Sequence, residues 1–216
     1  MDFEKARFNM VEQQIRTWEV LDPNVLDLLI RVRREEYVPA QYRSLAFTDM
    51  EIPLGFGETM LAPKLEARLI QAASVQPTDR VLEVGTGSGY MAALLSSLGE
   101  HVYTVEIVPE LSEQAQRKFA DHGLTNITAE VGDAARGWEA HAPYDAIVVT
   151  GSSPTLPPSF ERSLAPGGRL IVILGDPPVM TAHLLRRVGD GCSREGLFET
   201  CIRPLRNAPQ PERFVF

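Results

Sequence analysis

The segment Val81-Leu82-Glu83-Val84-Gly85-Thr86-Gly87-Ser88-Gly89-Tyr90 constrains the fold of this chain more than any other. It reads as a buried strand, a glycine turn and the start of a helix, with an acidic residue two positions before the first glycine. A unit of this kind lets a Rossmann-like sheet hold a small cofactor against a helix N-terminus. The spacing also discriminates between cofactors. The dinucleotide fingerprint G-x-G-x-x-G/A requires a small residue at position 90. Tyr90 stands there instead, and the third glycine falls at Gly89. That spacing counts against a nicotinamide dehydrogenase.

Downstream, strand and helix patterns alternate. Strands are expected over Arg80–Val84, His101–Ile107, Ile127–Val131, Tyr144–Thr150 and Arg169–Leu174, and helices over Gly89–Leu98, Pro109–His122 and Pro157–Leu164. Near-continuous apolar strands imply a parallel sheet covered on both faces. His183–Val188 and Leu197–Leu205 are expected to close the sheet as an antiparallel pair. Upstream, residues 1–43 read as helical, with Asp22-Pro23 capping a helix that runs to about Glu36. Residues 46–61 carry Gly55 and Gly57 and read as a loop or short hairpin. Ala62-Pro63 opens another helix. The expected fold class is α/β: a Rossmann-like, doubly wound, mostly parallel sheet with an N-terminal helical cap and a C-terminal antiparallel strand pair. Residues 1–61 would form the cap and 62–216 the sheet domain, as one compact unit.

A length of 216 residues suits a single domain with a sizeable core. The net charge of −8 argues against a broad surface for nucleic acid or anionic membrane. Arg31, Arg33 and Arg34 read as a solvated helix face. No apolar run approaches the ~20 residues that span a membrane. The start Met1-Asp2-Phe3-Glu4-Lys5 lacks the basic and apolar regions of a secretory signal, so a cytoplasmic location is expected. Cys192 and Cys201 have no metal-ligand spacing, so no metal is expected, and a reducing compartment favours two free thiols.

The pattern acidic-x-G-x-G-x-G resembles the first motif of S-adenosylmethionine-dependent methyltransferases. An open parallel sheet binds ligands at the carboxyl ends of its strands, so four strand ends become informative together. Gly85-Thr86-Gly87 ends the first, where glycines let the backbone approach a cofactor closely. Glu83 is placed to receive the cofactor's ammonium group, and Glu106, ending the second strand, to accept both ribose hydroxyls. Asp133 and Ala134 follow the third strand, beside the adenine. Thr150 ends the fourth, beside the methyl group. Singly, Glu106 reads as a surface carboxylate, Asp133 as a turn residue or helix cap and Asp145 as structural. Suitable residues at four successive strand ends favour the cofactor site. Asp176-Pro177-Pro178 is similar to the acidic-Pro-Pro-aromatic motif of methyltransferases acting on amino groups. It follows the wrong strand and ends in Val179, so it reads as a loop.

Over nearly its whole length the chain resembles the protein-L-isoaspartate O-methyltransferase family. The matching pieces are Met10 to Ile15, Glu36 to Pro39, Ile52 to Gly55, Glu83 to Tyr90, Tyr103 to Glu110, Gly132-Asp133, Tyr144 to Thr150 and Leu164 to Leu170. The pieces before the glycine motif are the most specific to that family. The resemblance implies S-adenosylmethionine as cofactor and the isoaspartyl carboxylate of damaged proteins as acceptor, in cytosolic repair. It implies a cofactor set of Met60, Glu83, Gly85, Thr86, Gly87, Ser88, Gly89, Glu106, Ile107, Asp133, Ala134 and Thr150, and a cap that contributes to the acceptor site. The family's acceptor loop, G-[QY]-[TA]-I-S-[QA]-P, becomes Gly57-Glu58-Thr59-Met60-Leu61-Ala62-Pro63 here. Thr59 keeps an acceptor-side hydroxyl. Leu61 replaces the family serine, and Glu58 brings a negative charge that opposes a carboxylate acceptor. These departures leave open a same-fold methyltransferase with another acceptor, or a catalytically weakened S-adenosylmethionine-binding protein. Ile202-Arg203-Pro204-Leu205 resembles the family's apolar-x-Pro-Leu strand, along which substrate peptide lies. Arg206-Asn207-Ala208 and the ending Arg213-Phe214-Val215-Phe216 depart from its pattern.

Overall fold

Seven strands form one sheet in a computed structural model that describes residues 2–211. Met1 and the Arg213–Phe216 ending lie outside the described residues. The strands are β3 (Arg80–Val84), β4 (His101–Glu106), β5 (Ile127–Val131), β6 (Tyr144–Ser153), β7 (Leu164–Asp176), β8 (Val179–Val188) and β9 (Gly191–Thr200), after a hairpin of β1 (Ile52–Gly55) and β2 (Glu58–Met60). Their order is β5-β4-β3-β6-β7-β8-β9. Pairings from β5 to β7 are parallel, whereas β8 and β9 add antiparallel. The chain leaves β3 towards β5 on one side and returns to β6 on the other. This reversal opens a crevice at the carboxyl ends of β3 and β6, where such sheets take their ligands.

The apolar run of β3 is buried on both faces because successive side chains enter different cores. Val81 joins Val102, Ala146, Val148 and Ile171 beneath the cap and helices α3 (Pro63–Ala73) and α4 (Tyr90–Ser96). Leu82 and Val84 join Val105, Ile147, Val149 and Phe160 on the opposite face. Phe160 lies on α6 (Pro158–Arg162), and α5 (Pro109–Asp121) packs Ala115 and Phe119 into the first core.

The cap begins with α1 (Phe3–Met10), continues through a π turn and a 3-10 turn, and is followed by α2 (Pro23–Arg31). Asp22 caps α2 through the Asn24 amide, with Pro23 in the first turn. The helix ends at Arg31 rather than near Glu36, because Val32 and Arg33 turn extended before a short 3-10 turn at Arg34–Glu36. That break turns Arg34 inward. Arg31 and Arg33 are solvated and paired to Asp27 and Glu36, as a helix face would be. Arg34 instead is fully buried, paired with Glu66 of α3, and donates to the Ala46 and Leu61 carbonyls. It ties the base of the acceptor loop to the cap and to α3.

The closing antiparallel pair exists with shifted bounds. β8 and β9 meet across a Gly189-Asp190 loop, with Val188 opposite Gly191. A two-residue loop with Gly189 at φ +60 matches the twist of a hairpin. Residues 201–205, expected within the second strand, lie beyond it. They cross instead to the end of β6, where Ser152 donates to the Arg203 carbonyl and the Leu205 amide donates back to Ser152.

Candidate active site

The crevice holds two adjoining compartments. The outer one, about 680 Å3 with its open mouth included, runs past Glu106, Ile107, Asp133 and Ala134 to Glu58, Arg203 and Arg206. The inner one, about 290 Å3, is lined by Met60, Glu66, Glu83, Thr86 and Ser88. Thr59, Leu61, Gly85, Gly87 and Thr150 border both. All but one of the residues expected at the cofactor and acceptor sites therefore meet in one place.

Gly89 is the exception. It borders neither compartment; a Cβ there would meet Phe119 and Ala115 of α5 at 2.9 and 3.0 Å. The turn there packs closely on α5. Gly85 faces the crevice, and a Cβ on it would lie 2.5 Å from the Thr150 hydroxyl. That hydroxyl donates to the carbonyls of Val84 and Gly85 and so joins the ends of β3 and β6. Asp145 sits at the opposite end of β6 and accepts the Arg80 amide, which agrees with its structural reading.

Glu83 is fully buried between β4 and β6. Its Oε2 accepts from Thr104, its partner in register on β4, at 2.5 Å, and the Thr104 hydroxyl also meets Thr86 at 2.5 Å. Its Oε1 has no partner among the described residues. Burial pushes the carboxyl up to about 8; the Thr104 hydrogen bond opposes this, and the charges of Glu106 and Glu66 add to it. A buried acceptor without a donor is costly, ~1–3 kcal/mol. The inner compartment therefore suits a ligand that brings a cationic N–H. Burial likewise raises the Glu66 carboxyl, while Arg34 beside it holds the rise back.

Glu106 stands almost wholly buried at the end of β4, oriented by two amides. Gly87 donates to Oε2 at 2.8 Å and Val108 to Oε1 at 3.0 Å. Each oxygen keeps a lone pair for a further donor. Asp133 caps its own turn through the Ala135 amide and accepts from the Asn207 side chain at 2.9 Å.

The acceptor side differs from what a local reading suggests. The Thr59 hydroxyl donates to Glu51 at 2.7 Å, so it already has an acceptor. Leu61 borders both compartments without a side-chain donor, and its carbonyl receives Arg34. Glu58 does line the outer compartment, but it is paired: Arg206 Nε donates to its Oε1 at 2.6 Å. Arg206 also donates to the Phe56 carbonyl. The segment Arg203–Asn207 thus straps the mouth, holding β6 through Ser152, the hairpin through Arg206 and the β5 end through Asn207.

Sequence reasoning missed Thr104, Glu51, Arg206 and Asn207 as parts of the site. Thr104 was accessible, since parallel register puts it beside Glu83. Arg206 meets Glu58 across 148 positions of sequence, a separation that no local pattern bridges.

Comparison with known proteins yields a coherent set. A family model described as Protein-L-isoaspartate(D-aspartate) O-methyltransferase matches residues 5–197. A protein-L-isoaspartate O-methyltransferase from Protochlamydia amoebophila is 42% identical over 82% of this chain and 84% of its own. One from Roseiflexus sp. is 39% identical over 95% and 94%. A solved protein-L-isoaspartate O-methyltransferase superposes with a TM-score of 0.80 at 26% identity, covering 92% of this chain; the chain spans 65% of that structure's length. The structure of a putative protein-L-isoaspartate O-methyltransferase from Plasmodium falciparum, in complex with S-adenosyl-L-homocysteine, has the same fold, with a TM-score of 0.75 at 21% identity over 95% of this chain.

Proposed function

The chain belongs to the protein-L-isoaspartate O-methyltransferase family, and from that premise we propose that its crevice transfers a methyl group from S-adenosylmethionine to the isoaspartyl carboxylate of damaged proteins. One observation carries the cofactor half of this reading: Glu83 Oε1, fully buried, bordering the inner compartment and lacking a donor among the described residues. A cofactor with an ammonium group meets that demand. Gly85 supports the same fit, because any side chain there would fill the passage beside Thr150.

Glu83 would hold the ammonium group, with Thr104 fixing its carboxylate. Met60, Thr86, Gly87 and Ser88 would wall the amino-acid half. Glu106 would take the ribose hydroxyls on lone pairs left by its two amides, and Ile107, Asp133 and Ala134 would border the adenine. When bound, the cofactor supplies an electrophilic methyl group on a sulfonium. A carboxylate acceptor is ionised at neutral pH, so the chain need supply no general base. Its residues contribute positioning and the exclusion of water by Leu61, Thr150 and the hairpin. Residues 1–61 act as the acceptor-side cap and 62–216 as the cofactor-binding unit of one compact body.

The acidic chain favours a protein substrate over nucleic acid. No helix among the described residues is long and apolar enough to cross a membrane. Cys192 and Cys201 are unpaired among the described residues; a reducing, cytoplasmic setting belongs to the same proposal.

The test is transfer of labelled methyl from S-adenosylmethionine to an isoaspartyl peptide and to its aspartyl twin. Base-labile label on the isoaspartyl peptide alone is expected. Tight cofactor binding with no transfer to either peptide would overturn the acceptor assignment.

A further inference from the structure

We propose that Arg206 is the specificity-determining residue that receives the acceptor's carboxylate, and that Glu58 occupies this position until substrate displaces it. The inference rests on the methyl-transfer reading above and deepens it. A carboxylate acceptor needs a donor at the mouth of the crevice, and the expected ones are absent or committed. Position 61 carries leucine, and the Thr59 hydroxyl is given to Glu51. The remaining cations bordering the outer compartment are Arg203 and Arg206.

Arg206 is the better placed of the two. It is anchored beside the hairpin by the Phe56 carbonyl and by Glu58. A guanidinium carries N–H donors on all three of its nitrogens, and Nη1 of Arg206 has no partner among the described residues. The Glu58–Arg206 pair is itself a carboxylate seated on a guanidinium at the entrance, the geometry that an incoming carboxylate would reproduce. Both side chains keep contact with solvent, at 23% and 43% exposure. Exposed pairs of this kind are weak enough to exchange partners. The pair also accounts for two departures from the family pattern at once. Arg206 neutralises Glu58 until substrate arrives, and once Glu58 is displaced Arg206 supplies the polar contact that Leu61 lacks.

The alternative is a clasp that only holds the strap on the hairpin, and the two readings differ in the sign of their effects. If Arg206 receives the carboxylate, Arg206→Gln should raise the KM for the isoaspartyl peptide about ten-fold with little change in kcat. Arg206→Lys should recover part of that loss. Glu58→Gln, which removes the competitor and its charge, should lower KM about three-fold. If the pair is only a clasp, breaking it from either side opens the same mouth. Equal shifts of KM in one direction for Glu58→Gln and Arg206→Gln would therefore overturn the proposal. So would a KM increase on Arg203→Gln that Arg206→Gln does not show. Wild-type transfer to the isoaspartyl peptide but not to its aspartyl twin secures the underlying reading separately. Its absence would overturn both, whereas same-sign KM shifts in an active enzyme would overturn only the role of Arg206.

Discussion

The protonation of Glu83 should govern cofactor affinity. Its carboxyl, pushed up to about 8 by burial, is only about 1% ionised at pH 6 and half ionised at pH 8. The partner ammonium loses its proton near pH 7.7–8.0, the ordinary range of an α-amino group. Binding that needs one carboxylate and one ammonium then peaks close to pH 8. Multiplying the two fractions gives affinity on the order of ten- to twenty-fold weaker at pH 6 than at the peak, with a fall of about three-fold by pH 9. Calorimetric titration of S-adenosylhomocysteine from pH 6 to 9 measures this directly. Buffers of different ionisation heats should also reveal proton release at pH 7. Glu83→Gln should bind more weakly at pH 8 and lose the acid limb. A wild-type affinity constant within two-fold between pH 6 and 8, or an unchanged profile in the glutamine variant, would refute the assignment. The same group affects folding in the opposite sense. Its folded pKa lies above its unfolded one, so the stability it contributes is present below about pH 4.5 and lost as pH rises through about 8. Glu83→Gln should therefore gain on the wild type in Tm between pH 5 and 8.

Three further outcomes follow from the same contacts. Glu106→Ala should weaken cofactor binding by ~2–4 kcal/mol, because it removes an acceptor for the ribose and also frees the Gly87 and Val108 amides; unchanged calorimetric affinity would count against the ribose role. Leu61→Ser should raise kcat/KM on the isoaspartyl peptide about ten-fold at some cost in Tm, since it restores a hydroxyl but leaves space beside a buried side chain; steady-state kinetics and thermal melts separate the two effects. Arg34→Ala should cost ~3–5 kcal/mol in denaturant unfolding, as it strips the buried Glu66 of its partner and orphans the Ala46 and Leu61 carbonyls.

Much of this molecule is legible along the chain because the relevant physics is local. Strand bounds at Arg80–Val84 and Ile127–Val131 follow from short apolar runs between turn residues. The α3 and α5 starts follow from Pro63 and Pro109 in the first turn. The errors share a cause as well. Arg34 looks like its solvated neighbours until the break after Arg31 turns it inward. The last strand runs over Gly191–Thr200 rather than Leu197–Leu205, because the Gly189-Asp190 turn sets Val188 opposite Gly191.

Sequence alone determined the sheet, the glycine turn and the acidic strand ends that mark a methyl-donor crevice, because each is written in a few consecutive residues with strict backbone demands. It also exposed the acceptor side as the place of departure, through Glu58 and Leu61. Only the tertiary structure decided what those departures mean. A charge has no fixed meaning until its partner is known. Glu58 meets Arg206, Thr59 meets Glu51 and Glu83 keeps one oxygen open, and each of these depends on which distant segment the fold brings alongside.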